Sequence, residues 1–215
     1  MLVDFDGTAA KQNVAEMLLR RFGGSAWKNF RTDFRRGVLT LKQYQEQAFG
    51  EIKAKPDEMT SFLDSEVVLR RGFLELVNLC TLNGYQVVIV SSGLRFYIEA
   101  IMARHKELLG VEVVAPEIMF KKSGNTFTYA NSKVNCTAWG ICKCESIERF
   151  QKLGSHTIYV GDGKSDFCPA GTADFVFARS QLVHYCTENN IPFVKFRTFK
   201  VVSQYITKLM RKDEA

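Results

Sequence analysis

No apolar run in the 215 residues approaches the roughly 20 residues that a bilayer-spanning helix needs, so no membrane-spanning segment is expected. The amino terminus lacks a basic region followed by an apolar stretch; no secretory signal is expected, and the cytoplasm is the expected location. The six cysteines, Cys80, Cys136, Cys142, Cys144, Cys168 and Cys186, lack the paired Cys-x-x-Cys spacing of a zinc site. In a chain of this length without a secretory signal they read as free thiols in a reducing compartment, not as a disulfide framework. Cys136, Cys142 and Cys144 do cluster; packed thiols are the reading there, and a structural metal stays open. No recognised nucleic-acid-binding motif, no internal repeat and no low-complexity segment is present. Between about Gln12 and Leu69 there is no convincing β segment.

Hydrophobic residues make up 46% of the chain and include 17 Phe, enough for a sizeable core in one domain, or one domain with a smaller insert. The net charge is +6. Part of the excess lies in Arg20, Arg21, Lys28, Arg31, Arg35 and Arg36, and part near the carboxyl end. Such a balance favours an anionic partner. Without a nucleic-acid motif, that partner is expected to be a small molecule, and the carboxyl-terminal group reads as a solvated helix face.

The chain changes character at Gly72. Before it, apolar residues recur at helical spacing: Val14, Met17, Leu18 and Phe22; Trp27, Phe30 and Phe34; Leu41, Tyr44, Ala48 and Phe49 after a capping Thr40; then Met59, Phe62 and Leu63 after Pro56. After it, α and β patterns alternate. Tyr85 to Val90 is a near-continuous apolar run, as in a parallel strand buried on both faces. Val111 to Ala115, His156 to Val160 and Phe175 to Ala178 read as further strands, and Glu117 to Tyr129 as a hairpin around Ser123-Gly124-Asn125. Alternation of this kind predicts an α/β fold, a mainly parallel sheet with helices on both faces.

Three of the strands run into polar clusters: Asp4 and Asp6 after Met1-Leu2-Val3, Ser91-Ser92-Gly93, and Asp162 to Asp166. In a parallel sheet those ends share one edge, where ligands bind. Asp4 and Asp6 are two apart, so an extended backbone would turn both carboxylates to one side, and Gly7 permits a sharp turn after them. Asp-x-Asp-Gly is also an ordinary turn sequence with a capping Asp. Converging carboxylates repel unless a cation neutralises them, and an all-oxygen set suits Mg²⁺. Ser91-Ser92-Gly93 opens a helix whose free N–H groups can cradle a phosphate, and a carboxylate can act as nucleophile through an aspartyl-phosphate.

Asp4-Phe5-Asp6-Gly7-Thr8 resembles the first motif of the haloacid dehalogenase superfamily in its phosphatase branch. Ser91-Ser92-Gly93 resembles the second motif and Gly161-Asp162-Gly163-Lys164-Ser165-Asp166 the fourth, with Ser165 where Asn is common. The third motif is a single Lys; Lys143 matches best and Lys133 is a rival. The resemblance implies a Rossmann-like catalytic core over residues 1–11 and 72–215, with an inserted small helical cap over 12–71. It implies Asp4 as nucleophile, Asp6 as general acid and base, and Ser91, Ser92, Gly93 and Lys143 as phosphate holders. It implies Mg²⁺ on Asp4, the Asp6 carbonyl oxygen and Asp162, while Asp166 binds the metal through water or orients Lys143. The second Asp separates phosphatases from the superfamily's dehalogenases and ion pumps, so a monoester phosphatase acting as monomer or homodimer on a small phosphorylated metabolite is expected, with phosphotransfer as the alternative. Relatives acting on phosphoserine carry a Glu and a cap Arg; by spacing, Asn13 and Ala48 or Gln47 stand there instead. Arg70-Arg71-Gly72-Phe73 and Asp174 to Arg179 resemble the enol-phosphate phosphatases of methionine salvage; phosphocholine and pyridoxal phosphate stay open as substrates. Substrate contacts are sought at Asn13, Glu16, Phe22, Arg35, Arg36, Gln47 and Arg95.

Overall fold

A computed structural model describes residues 1–129 and 138–213. Lys133 and Cys136 lie outside the described residues. Strand β1 (Leu2–Val3) leads into a tight turn, Phe5–Ala9. Four helices follow with no strand among them: α1 (Val14–Phe22), α2 (Trp27–Arg35), α3 (Leu41–Gly50) and α4 (Pro56–Glu66). Then come α5 (Phe73–Leu82), β2 (Val88–Val90), α6 (Arg95–Met102), β3 (Glu112–Val114) and the hairpin β4 (Glu117–Met119) and β5 (Thr126–Thr128). The remainder is α7 (Lys143–Gln151), β6 (Ile158–Gly161), α8 (Phe167–Ala170), β7 (Phe175–Ala178), α9 (Ser180–Glu188), β8 (Val194–Lys195) and α10 (Lys200–Asp213). None of the described helices is long and apolar enough to cross a membrane.

Six strands among the described residues form one sheet, in the order β3-β2-β1-β6-β7-β8, and every neighbouring pair is parallel. The three strands that run into polar clusters, β2, β1 and β6, are adjacent at its centre. Their carboxyl ends therefore meet at one point on one edge, as the order of motifs anticipated. β1, β2 and β6 are buried along their whole length, which is why they read as apolar runs instead of alternating ones.

Local chemistry starts and stops the helices. Asn13 caps α1, its side chain accepting from the Glu16 amide at 2.8 Å. Thr40 and Gln43 close a reciprocal cap on α3. Pro56 starts α4, where a missing N–H costs nothing. The α1–α4 block packs on the sheet side through one continuous buried cluster that holds Leu18, Met59 and Leu63 together with Ile98 and Phe73. The chain enters and leaves that block side by side. Ala10 and Leu69 form an antiparallel bridge, the Lys11 amide donates to Val68 O at 2.9 Å, and the Arg70 amide donates to Ala9 O at 2.7 Å.

Several strands are shorter than their apolar runs. β2 begins at Val88 and not at Tyr85, because the Tyr85 amide still donates back to Cys80 O at 2.9 Å to finish the end of α5. β8 and α8, of two and four residues, were not expected from the sequence; neither is long enough to show a period.

Candidate active site

β1 ends at Val3, yet the backbone stays extended at Asp4 (φ −68°, ψ 154°) and again at Asp6 (φ −68°, ψ 122°) before Gly7 turns the chain at φ +77°. Both aspartates line a cavity of about 810 Å³. Gly7 is required twice over. Its φ is one that side chains disfavour, and a Cβ there would stand 2.6 Å from Asp162 Oδ2. The carbonyls of this turn are clamped by side chains from elsewhere. Arg70 donates to Thr8 O and Gly7 O, both at 2.7 Å, and Arg179 donates to Gly7 O as well.

Lys143 is the first residue of α7 and is almost fully buried. Its ammonium lies 2.6 Å from Asp4 Oδ1 and 2.6 Å from Asp166 Oδ1. Burial alone would lower the lysine's pKa, but the two carboxylates outweigh it and raise it. Asp166 Oδ1 also accepts from the Tyr159 hydroxyl at 2.6 Å, and Oδ2 accepts from the Asp162 and Gly163 amides at 2.8 and 2.9 Å. Against burial, Lys143 first and then these donors hold Asp166 below the ordinary carboxylate range. Gly161 makes room for it, since a Cβ there would lie 2.6 Å from the Asp166 carboxyl carbon.

Asp4 is pushed the other way. Burial raises its carboxyl well above the ordinary range against the pull of Lys143, and Asp166 and Asp162 add to the rise. Burial and the charge of Asp166 raise Asp162 to about 7, opposed by a Thr8 hydroxyl donating at 3.2 Å. Oxygens of Asp4, Asp162 and Asp166 all lie within 4.8 Å of one another, and among the described residues this trio could hold a metal ion. Both oxygens of Asp166 already accept two donors each, whereas no donor reaches Oδ2 of Asp4 or of Asp162 among the described residues. One lysine facing three carboxylates leaves surplus negative charge on all-oxygen donors, which is the chemistry Mg²⁺ fits.

Asp6 is held at both oxygens. The Val14 amide donates to Oδ1 at 2.7 Å and the Tyr97 hydroxyl to Oδ2 at 2.5 Å. Burial raises its pKa to about 6, with those two donors pulling it back. On the facing strand end, Ser91 is buried and its Oγ accepts from the Gly93 amide at 3.0 Å. The Ser92 carbonyl accepts from the buried Gln45 side chain at 2.8 Å.

The helical block forms the other wall of the cavity. Glu16, Arg31, Arg35, Phe34, Tyr44 and Gln45 face into it. Glu16 pairs with Arg31 at 2.6 Å, and Phe34 stacks on Tyr44 with ring centres 5.4 Å apart. Of the residues singled out for substrate contact, Asn13, Glu16 and Arg35 line the cavity, although the Asn13 side chain is spent on its own helix. Arg36, Phe22, Gln47 and Arg95 do not line it. Phe22 packs edge-on against Phe62, Gln47 is exposed, and Arg95 pairs with Glu99 and Glu117. The inward glutamine of α3 is Gln45, in step with Tyr44, Ala48 and Phe49 on the buried face.

Tyr97, Tyr159, Arg70, Arg179, Gln45 and Arg31 are the residues of this site that sequence reasoning did not assign. Tyr97 stands four residues after Gly93, a helical spacing that carries a signal only once Asp6 is placed beside it. Cys142 and Cys144 are buried free thiols, and Cys144 Sγ lies 2.9 Å from Cys168 Sγ, a pairing across 24 residues that spacing does not reveal.

Residues 1–170 match the family model of haloacid dehalogenase-like hydrolases. A 2-hydroxy-3-keto-5-methylthiopentenyl-1-phosphate phosphatase of Exiguobacterium sp. is 30% identical over 96% of this chain and 96% of its own. One of Brevibacillus brevis is 26% identical over 99% of this chain and 96% of its own. A solved phospho-aspartyl intermediate analogue of phosphoserine phosphatase superposes with a TM-score of 0.70 at 20% identity, over 95% of this chain and 96% of that one. The chain belongs to the haloacid dehalogenase-like hydrolases. Its enzyme class within them is phosphoric monoester hydrolase.

Proposed function

We propose that this phosphatase hydrolyses a small phosphorylated metabolite through a phosphoryl group carried transiently on Asp4. The observation that carries the reading is the buried chain Asp4–Lys143–Asp166, 2.6 Å at each link, under a cavity that Asp6, Ser91 and Asp162 also line. A carboxylate oxygen of Asp4 attacks phosphorus, and the bond to the leaving oxygen breaks. Asp6 gives that oxygen a proton, then takes one from the water that splits the aspartyl-phosphate and returns Asp4. Ser91, the amides that open α6, and Lys143 hold the phosphoryl oxygens as negative charge builds on them. Asp166 keeps Lys143 charged and aimed. Mg²⁺, which Asp4, Asp162 and the Asp6 carbonyl would hold, would neutralise transition-state charge when bound.

Residues 12–71 serve as the cap over this floor and carry the substrate-reading side chains. Similarity to the two enol-phosphate phosphatases supports a methionine-salvage type of substrate, and the Phe34–Tyr44 stack beside polar Glu16 and Arg31 suits a ligand with both apolar and polar ends. Phosphoserine fits less well, because Asn13 supplies no carboxylate and caps its own helix. A cytoplasmic location belongs to the same proposal and is supported by the free thiols.

The test is phosphate release from a panel of phosphorylated metabolites, with and without Mg²⁺, using Asp4→Asn as blank. Release from the methionine-salvage enol phosphate that needs Mg²⁺ and vanishes in the blank is the expected result. Release that persists in Asp4→Asn removes the nucleophile. Product that forms only with an added acceptor, without matching free phosphate, points to phosphotransfer.

A further inference from the structure

Tyr97 is fully buried on α6, the helix that begins behind Ser91-Ser92-Gly93, and its hydroxyl donates to Asp6 Oδ2 at 2.5 Å. The opposite oxygen is held by the Val14 amide at 2.7 Å. These two donors come from different elements: Val14 opens α1, whereas Tyr97 stands on α6, which packs on β3, β4 and α4. Gly93 explains how the tyrosine reaches its partner. A Cβ at Gly93 would strike the Tyr97 hydroxyl and stand 2.5 Å from Asp6 Oδ2. The backbone at Gly93 is not in the left-handed region, so clearance and not conformation is what calls for glycine there.

We propose that Tyr97 is the positioning residue of the proton-transfer step, and that Gly93 is bare to admit its hydroxyl. The proposal rests on the reading of Asp6 as general acid and base. A carboxyl group turns readily about its last bond, because that torsion is broad. Proton transfer requires the acid to stay within hydrogen-bond reach of the leaving oxygen. One donor from Val14 fixes one oxygen and leaves the other free to swing. The second donor, on the other oxygen, removes that rotation. Tyr97 does so from α6, so the two oxygens are held from two different helices.

Leaving-group chemistry tests this. An alkyl phosphate expels a poor leaving group that needs a proton; p-nitrophenyl phosphate expels one that does not. The kcat/KM of both substrates is measured for wild type, Tyr97→Phe and Asp6→Asn, and melting curves show that each variant is folded. Tyr97→Phe is expected to lose activity toward the alkyl phosphate on the order of tenfold to a hundredfold while p-nitrophenyl phosphate changes by less than about threefold. KM for the alkyl phosphate stays unchanged. Equal losses on both substrates in Tyr97→Phe, or no loss on either, overturn the proposal. If Asp6→Asn shows the split and Tyr97→Phe does not, positioning alone fails and Asp6 keeps its role. If Asp6→Asn shows no split, the acid/base reading fails and the positioning role falls with it.

Discussion

Lys143 carries its charge with almost no water around it, between Asp4 and Asp166 at 2.6 Å each. Removing one partner of such a set strands the others, which costs more than the pair contributes. Lys143→Met is therefore expected to lose roughly 3–5 kcal/mol in denaturant unfolding as well as its activity. Asp4→Asn keeps shape and hydrogen-bonding capacity, and so is expected to abolish turnover while its melting temperature stays near that of wild type. Residue by residue, the site was legible where chemistry is tied to a motif. Asp4, Asp6, Ser91 and Asp162 stand at strand ends that hydrophobic pattern alone places together. Lys143 carried little information by itself, and the structure puts it on the floor through two ion pairs. Tyr97 and Arg179 were invisible for the opposite reason: a buried tyrosine reads as core, and a lone arginine reads as surface, until the partner across 91 or 172 residues is known.

At the scale of elements, the ends of strands are held by side chains as much as by the ladder. Asp174, just before β7, accepts from the Thr157 amide at 2.8 Å and the Thr157 hydroxyl at 2.7 Å, just before β6. Its folded pKa is lowered: these bonds outweigh burial, with help from Gln151 and His156. A carboxylate whose folded pKa is lowered stabilises the fold above its unfolded pKa, roughly 3.9, and the gain fades as pH falls through the folded value. Because the group is partly exposed and solvent-screened, Asp174→Asn is expected to cost about 1 kcal/mol at pH 7. In urea titrations that difference should shrink below about pH 4. Thr40→Ala, which opens the reciprocal cap of α3, should cost about 1 kcal/mol at any pH in the same assay. Helix positions in the block were legible because apolar spacing and caps agree. The strand lengths were not: where a chain leaves one helix and enters a strand, as at Tyr85, a hydrogen bond to the helix end decides the boundary, and apolar pattern is silent about it.

For the molecule as a whole, a cation held at the proposed site of Asp4 and Asp162 would couple stability to what the solution supplies. A ligand that binds only the folded state stabilises it by mass action, about 2.7 kcal/mol at one hundred times its dissociation constant. Mg²⁺ is therefore expected to raise the melting temperature of the wild type, and Asp162→Asn to lose that rise while keeping its fold. A rise that survives in Asp162→Asn would place the cation elsewhere. The parallel sheet and the helical block were both foreseen, because alternation and its interruption are properties of long segments. How they lock together was not, since the shared buried cluster depends on contacts between residues far apart, such as Leu63 and Ile98.

The paired crossing at Ala10 and Leu69 has a consequence for how such a chain can vary. Two strands side by side and antiparallel are a place where a short hairpin turn can close the chain. Followed along the chain, the four-helix segment is thus inserted at one crossing of the backbone. A change of its length within that crossing adds no residue to any strand of the sheet, and the clamp of Arg70 on Gly7 and Thr8 lies outside the four helices.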